Sequence, residues 1–581
     1  MRTIKYIFLQ LLFLAGTLSL SAQTDSNLEK EVEVIKAYQP SISDAYKIGT
    51  NPRINDTVNY SPTFEYRIFS KDFPVEKTIN HLPAVKLGTP PKEKSNTGYV
   101  KGGFGNAWTP TADLFINSKP SRSTDFGLQL HHFSSRPDIL LNNGLKVNSP
   151  YSNNIARIFV RNNFRKSVLD WEMQYQRDGF RYYGFPDTDS LLYRQNENKN
   201  STLNERQAFN QAEGKVRLKN MNPRAQLDYN VLLGYNYFWN ATGQAAHHAN
   251  YNGIFSKPIH KFNIQLDSKF EYFNQNGMTN NIDNTLDLHQ FYHASISPQI
   301  IINEETYQLQ AGFNLGTIIG ADTSLLWHIS PKIYFAYHPI QGIMTLFAGA
   351  DGGFNPNGYQ QTMTKNQYVN YNIELSPSEK AIGLFGGIKG KLSRRLSYLF
   401  DVDYSINQNE AFYYLEKNIA TTDTSISNTF SVLYDQVNQL RFGGNIYYSS
   451  NPVTVNLKGN YYRYQSKKLI QLPHLPDFDI SLNTSIQFTP RIRGNIDATI
   501  VGERDALYHI IDRTLALAIP STFEIQTLKP ILDLNLGVDY SYSKQLNFFL
   551  DARNVLNQNY EIWQGYNHQR LLIILGARFV F

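Results

Sequence analysis

The sequence of 581 residues contains no cysteine, only 18% charged side chains, and, beyond its first 22 residues, no apolar run long enough for a membrane-spanning helix. The absence of cysteine excludes a disulfide scaffold, a thiolate metal site and a lipid anchor attached to cysteine. The absence of long apolar runs excludes a bundle of membrane helices. The formal charge is +6, but basic and acidic residues are intermixed, so no nucleic-acid partner is predicted.

Aromatic side chains, by contrast, are abundant. The chain has 38 Tyr and 36 Phe, and aromatics make up 14% of it. The mean hydropathy of −0.41 is nevertheless that of a polar chain. So many aromatics argue against disorder, and the combination indicates a β-rich protein that places aromatic rings at interfaces.

Residues 1–22 have the pattern of a cleaved export signal. Arg2 and Lys5 form a positive start, Tyr6–Leu20 an apolar core, and Leu20-Ser21-Ala22 precedes a cut before Gln23. The apolar core is short for a membrane anchor, which is the alternative. The sequence therefore predicts a protein that leaves the cytoplasm.

From about Gly98 onward, apolar and polar residues alternate with a period of two over segments of β-strand length. In residues 262–272 the odd positions are polar or charged, with Asp267, Lys269 and Glu271 close together, and most even positions are apolar. Successive side chains of a strand point to opposite faces, so each segment has one apolar and one polar face. A soluble sandwich gives the same alternation. The crowding of charges on one face favours a water-filled lumen instead.

Short turns and long polar connections alternate along the same region. Ten tight turns are predicted near residues 119–120, 164–165, 222–223, 257–258, 303–304, 338–339, 393–394, 451–452, 489–490 and 543–544. The longer segments lie around 134–154, 178–206, 273–287, 355–378, 408–436, 465–477, 503–529 and 553–569. Short turns at one end and long loops at the other are typical of outer-membrane barrels. We therefore predict an all-β fold: a transmembrane antiparallel β-barrel over residues 98–581 with about 22 strands, and a range of 18–22.

The last residues carry a further sign of a membrane barrel. Every second position back from the end is apolar, and the final strand ends with Phe579 and Phe581. These two residues are predicted to form the signal that the β-barrel assembly machinery recognises, and outer-membrane lipid is the predicted surrounding.

The stretch from Asp551 to Glu561, with Asn554, Leu556 and Tyr560, resembles the end of a TonB-dependent receptor barrel. That resemblance implies a barrel of 22 strands, transport or uptake across the outer membrane, and a TonB-like periplasmic partner. Glu31, Val32, Glu33, Val34 and Ile35 resemble a TonB box, with a simple edge strand as the alternative.

The segment 23–97 is rich in proline, which favours an extended path. It is too short for the family's plug, and residues 34–45 resemble the leader of plugless receptor-like barrels. The resemblance therefore implies a plugless variant with a short periplasmic or lumenal segment.

A barrel of this size cannot fill its lumen with wall side chains, so residues 23–97, folded loops or a partner must obstruct it. The loops are rich in aromatics that suit ligand or partner recognition, with a membrane-interface girdle as the alternative. The candidates are Phe180, Tyr182, Tyr183, Phe185, Phe412, Tyr413, Tyr414, Trp563 and Tyr566.

Motifs of catalysis, nucleotide binding and metal binding are missing from the sequence. We therefore predict no enzymatic activity, no catalytic residue, no cofactor and no metal. Uptake across the outer membrane is the leading interpretation. The alternative is a non-transporting barrel subunit of an outer-membrane assembly or secretion complex, which could include other outer-membrane proteins.

Overall fold

The computed structural model describes residues 97–118, 123–142, 144–184, 206–222, 225–276, 289–320, 325–370, 373, 375–419, 428–512 and 522–581. The predicted export signal, Glu31–Ile35 and Phe185 lie outside these residues.

The chain forms a closed antiparallel barrel of 22 strands, which confirms the predicted fold class and strand number. Each strand pairs with its neighbours around the wall, and the first strand pairs with the last, Tyr99 opposite Val580. The barrel strands are β1 (Gly98–Gly105), β2 (Thr109–Asn117), β3 (Thr124–Ser135), β6 (Tyr151–Asn163), β7 (Ser167–Arg181), β8 (Arg206–Asn220), β9 (Asp228–Asn240), β10 (Ala245–Ile259), β11 (Phe262–Gln275), β12 (Gln290–Asn303), β13 (Tyr307–Gly320), β14 (Leu325–Ile340), β15 (Met344–Asn355), β16 (Ser378–Lys391), β17 (Leu396–Ile419), β18 (Phe430–Ser450), β19 (Val453–Ser466), β20 (Phe478–Thr489), β21 (Ile492–Val501), β24 (Ile531–Ser541), β25 (Leu546–Arg553) and β28 (Leu572–Val580).

The remaining elements lie in the long connections. They are the hairpins β4 (Asp138–Leu140) with β5 (Lys146–Asn148), β22 (Arg504–Asp512) with β23 (Thr522–Leu528), and β26 (Glu561–Trp563) with β27 (Tyr566–Asn567), and the helix α1 (Tyr359–Lys365). β22 also pairs in parallel with the end of β17, which is the longest strand of the barrel. Within the described ranges, no helix has the length and apolar character to cross a membrane.

The alternation in sequence corresponds to an apolar outer face and a polar inner face. In β11, Ile264, Leu266 and Phe270 are exposed on the outside, whereas Asp267 and Glu271 point inward. This is the reverse of a soluble core, and it suits a wall with lipid outside and water inside. The inner charges are paired across strands: Asp267 lies 2.6 Å from the Lys332 ammonium, and Asp401 contacts Arg441.

The ten short connections between strands lie at one end of the barrel and the long connections at the other, which we call the turn end and the loop end. The predicted turn at 119–120 and residue 223 of another lie outside the described residues. Two turns lie about three residues later than predicted. β10 continues through Pro258 to Ile259, and β14 continues through Pro339 to Ile340. Proline was therefore a misleading turn marker there, because a strand tolerates proline near its end or at an irregularity in pairing, and β14 shows such an irregularity between Tyr337 and Ile340.

Strand spacing fixes the width of the lumen. With strands about 4.8 Å apart and tilted by about 40°, a barrel of 22 strands is on the order of 40 Å across its backbone. Wall side chains extend only a fraction of this distance. Wall side chains alone therefore cannot fill the lumen.

Candidate functional site: a loop layer across the barrel mouth

The long connections pack together over the loop end. We call this assembly the loop layer and define it as residues 139–142, 144–149, 182–184, 356–370, 373, 375–377, 428–430, 472–476, 504–508 and 561–568. Its core contains side chains that are fully buried, among them Tyr359, Met363, Val369 and Phe430 at 0% exposure.

Hydrogen bonds in the layer join opposite walls of the barrel. The Asn428 side-chain amide donates to the carbonyl oxygen of Tyr182 at 2.8 Å. Asn428 precedes β18 and Tyr182 follows β7, and these two strands lie eleven places apart in a ring of 22. The bond therefore crosses the mouth rather than running along its rim.

The β25–β28 connection is hydrogen-bonded to the same two loops. The Tyr566 hydroxyl donates to the carbonyl oxygen of Asn428, and the Tyr183 hydroxyl donates to the carbonyl oxygen of Asn567 at 2.9 Å. Three loops from different sectors of the wall are thus bonded to one another above the lumen.

Aromatic rings fill the space around these bonds. Tyr368 and Tyr566 stack with centroids 3.6 Å apart, and Tyr183 meets Tyr566 edge to face at 5.0 Å. Phe180 packs edge to face on Phe209 of the barrel wall at 4.9 Å. Each such aromatic pair contributes roughly 0.5–1.5 kcal/mol beyond its buried area.

The helix α1 anchors the layer to the wall. Tyr359 and Met363 are four residues apart, so they share one helix face, and both are buried. The backbone N–H of Tyr359 donates to the side-chain oxygen of Gln275 at 2.8 Å, and its ring packs against Phe238. α1 is therefore fixed to β9 and β11 at the rim.

Side chains from three other connections fix the β25–β28 connection in the layer. The buried Arg504 guanidinium donates to the carbonyl oxygens of Glu561 at 2.6 Å and Ile562 at 3.1 Å. The Asn142 side chain donates to the Glu561 carboxylate at 2.6 Å. Trp563 packs on His474 with centroids 4.9 Å apart.

Burial sets the protonation of groups in the layer. It raises the pKa of Tyr183 and of Tyr566 well above the usual tyrosine range, so both hydroxyls remain neutral donors. Desolvation, together with the charge of nearby Arg504, lowers the pKa of His474 to about 3. The imidazole is therefore neutral at physiological pH.

The loop layer is expected to lose stability as the pH falls below about 6.5. A loosened loop would protonate His474 near that pH, whereas the packed layer resists protonation down to about 3, so the stabilisation is complete above 6.5 and declines toward 3 by up to about 1.4 kcal/mol per pH unit. Hydrogen exchange of residues 561–568 at pH 7.5 and 5.0, corrected for intrinsic rates, measures this. His474→Gln should remove the dependence, and an unchanged dependence in that variant would contradict the assignment.

Most of the aromatic candidates from the sequence lie in this layer or pack against it. Phe180, Tyr182, Tyr183, Tyr413 and Tyr566 are buried in one cluster, and Trp563 packs against it. Phe412 belongs to a neighbouring cluster with Val437 and Leu472, and Tyr414 faces His509 and Phe523. Their predicted contact with a ligand or partner stays a prediction. Phe579 and Phe581 lie at the seam strand β28 and are exposed outward, and their role in assembly also stays a prediction.

Sequence reasoning missed four central members of the layer: Tyr359, Met363, Tyr368 and Phe430. The only local signal was the spacing of Tyr359 and Met363, which share a helix face within a segment otherwise polar enough to be taken for a loop. Arg504 carried no signal, because its partners are backbone carbonyls 57 and 58 residues away.

The described parts of the chain hold no group of three or more His, Asp or Glu arranged to bind a metal ion. The chemistry of the layer is that of packing and hydrogen bonding, in which tyrosine hydroxyls, side-chain amides and the Arg504 and Glu561 side chains take part.

No family model matches the chain, and no curated protein matches it. Solved structures do match in fold. The pyoverdine outer membrane receptor FpvA from Pseudomonas aeruginosa PAO1, bound to pyoverdine, matches with a TM-score of 0.61 and 11% identity over 84% of this chain and 79% of that one. The siderophore receptor PirA from Acinetobacter baumannii matches with 0.60 and 10% over 84% and 81%. The FrpB iron transporter from Neisseria meningitidis matches with 0.61 and 9% over 84% and 82%. At these identities the likeness shows the fold alone.

Proposed function

We propose that this chain, which has the fold of outer-membrane receptor barrels, is an outer-membrane receptor that admits a solute through its lumen, with the loop layer as the gate. The observation that carries the proposal is the union of a wide polar lumen with a mouth that is spanned by hydrogen-bonded loops from opposite walls. A structural or purely lipid-anchored role would need neither the width nor the polar lining.

The orientation of the barrel follows from its connections. Short turns of such barrels face the periplasm and long loops the exterior, so the loop layer faces outward. Thr97 lies at the turn end, where its N–H donates to the carbonyl oxygen of Phe581 at 2.7 Å. We propose that the residues before Thr97 form a plugless segment that follows a cleaved signal.

Opening a packed layer requires free energy that the outer membrane does not supply. We infer a TonB-like periplasmic protein that pairs with Glu31–Ile35, as the resemblance to TonB-dependent receptors implies. Receptors of siderophores and iron among the structures of like fold support an uptake role over a catalytic one, and we propose no enzymatic activity.

Val32→Pro combined with Val34→Pro is expected to abolish contact with the TonB-like protein, because proline cannot donate in a strand ladder. A photoactivatable residue at Glu33 in living cells measures the contact as a cross-link. Val32→Thr with Val34→Thr keeps an extended, β-branched segment and serves as the matched control. If the proline variant cross-links like the control, the energised version of the proposal fails.

The alternative, a non-transporting subunit of an outer-membrane complex, is favoured by how completely the layer is buried. Val369 and Phe430 are at 0% exposure, as in a domain interior that never opens. Purification of the tagged protein in mild detergent separates the two functions. Stoichiometric co-elution with other outer-membrane proteins, without the Glu33 cross-link, would favour the complex subunit.

A further inference from the structure

A cavity of about 610 Å³ lies beneath the loop layer, against the inner wall formed by β17, β18 and β19. Its other side is made by Lys365 of α1, residues 473–476 and Trp563. This volume falls within the range of about 300–1,000 Å³ that small-molecule sites occupy.

On the wall of the cavity, polar and aromatic side chains lie in register on three neighbouring strands. Ser405, Gln439 and Tyr464 stand opposite one another on the three strands. Asp403 and Tyr462 lie in the next row, about 7 Å along the strands, because two residues of a strand rise by that distance. Hydroxyls and amides of this kind both donate and accept hydrogen bonds.

The charges around the cavity are compensated locally. The Lys365 ammonium lies 3.9 Å from the Glu410 carboxylate, and the Lys380 ammonium lies 3.2 Å from Asp351. The four charged lining residues, Lys365, Lys380, Asp403 and Glu410, sum to zero. The lining thus carries equal numbers of cationic and anionic groups, which favours a ligand without net charge.

Aromatic rings frame the cavity from both sides. Tyr462 and Tyr464 lie parallel at an interplanar angle of 11° with centroids 5.8 Å apart on the wall. Tyr413 and Trp563 meet edge to face at 5.3 Å on the loop side. The lining of the cavity thus combines aromatic rings with hydroxyl, amide and carboxylate groups.

The backbone holds the cavity in shape. β17 has an irregularity between Asn407 and Glu410, where Asn409 adopts a φ of 54°. The Asn409 side chain donates to the Ser376 hydroxyl at 2.6 Å and to the carbonyl oxygen of Pro377 at 2.8 Å. The bulge thus ties the cavity wall to the loop layer, and the site is formed before any ligand arrives.

We propose that this cavity binds a short neutral oligosaccharide. Sugar rings present flat C–H faces for aromatic stacking and rims of hydroxyls that pair with amides and carboxylates, which is the combination that the walls supply. The assignment rests on the proposed function in one respect only: the bound sugar is the solute that passes the gate.

Isothermal titration of the full chain in detergent with maltotriose, cellotriose and triacetylchitotriose tests the proposal, with triglycine as a zwitterionic comparison. At least one trisaccharide should bind and triglycine should not. Gln439→Ala should weaken that binding at least about tenfold, the equivalent of about 1.4 kcal/mol. Tyr464→Leu, which keeps apolar packing but removes the ring, should do the same. Asn483→Ala, on the inner face of β20 outside the cavity, is the matched control.

Binding by none of the three trisaccharides, binding of triglycine alone, or binding that Gln439→Ala leaves unchanged would each overturn the site. The titration involves no passage through the barrel. A trisaccharide that binds but is not transported through the barrel would therefore count against the proposed function. A trisaccharide that is transported without binding would count against this site.

Discussion

Replacement of residues 356–377 by a short Asn-Gly turn is expected to open the lumen of the barrel as a pore, while the ring of paired strands stays intact. Asn355 and Ser378 already pair across β15 and β16, so a tight turn can join them without straining the wall. The replacement removes Tyr359, Met363 and Tyr368 from the layer, and the remaining loops lose the helix on which they pack. Planar-bilayer conductance measures the result, and a rise of at least about tenfold is expected from the width of the lumen.

The control for this replacement is Thr364→Ala, which changes an exposed position of the same helix and should leave conductance low. Retention of the folded barrel is checked by its heat-dependent mobility in detergent gels. An intact barrel with unchanged conductance would mean that the loop layer is not the barrier. Deletion of residues 24–96 in the same assay would then test the N-terminal segment as the obstruction.

Tyr566→Ala is expected to loosen the whole loop layer while leaving the barrel wall folded. The substitution removes a fully packed ring from between Tyr183 and Tyr368 and leaves the carbonyl oxygen of Asn428 without its hydroxyl donor. Loss of a buried aromatic costs about 3–5 kcal/mol. Tyr566→Phe keeps the ring and loses only the hydrogen bond, so its cost should be about 1–3 kcal/mol.

Hydrogen exchange measures both effects. Faster exchange is expected in residues 182–184, 366–370 and 428–430 together, although these lie far apart in sequence, because they share one cluster. Tyr542→Ala, at an exposed position in a turn at the other end, should change none of them. Faster exchange confined to residues 561–568 would show that the three loops are independent and would contradict the layer as a unit.

The barrel could be predicted from sequence because its rule is local. Each wall residue faces either lipid or water according to its parity, so Leu266 and Asp267 can be assigned from their immediate neighbours. Turn positions were predicted less accurately where proline was taken as the marker.

Proline also occurs inside a wall strand. Pro298 lies in β12, where pairing with β13 lapses between Ile296 and Gln299 because proline has no N–H to donate.

The packing of the loop layer could not be predicted from the sequence in the same way. Asn428 and Tyr182 are 246 residues apart, and Tyr183 and Asn567 are 384 apart, so no window of sequence contains both partners. The aromatic candidates were found because rings in polar loops are unusual. Their mutual packing depends on barrel geometry, which brings loops from opposite walls to one point. The residues between them are too polar to suggest a core.

The seam between β1 and β28 has a consequence for how the molecule is made. Residues near 98 and 581 must meet before the wall is complete: Phe581 exchanges backbone hydrogen bonds with Gly98 and accepts a further one from the N–H of Thr97. Until then the sheet has two unsatisfied edges, each able to pair with any other strand in reach. Pairing of β1 with β28 is therefore the last step of barrel formation, because the final strand is synthesised last. The nearly finished cylinder is therefore most prone to mispairing just before its two margins join.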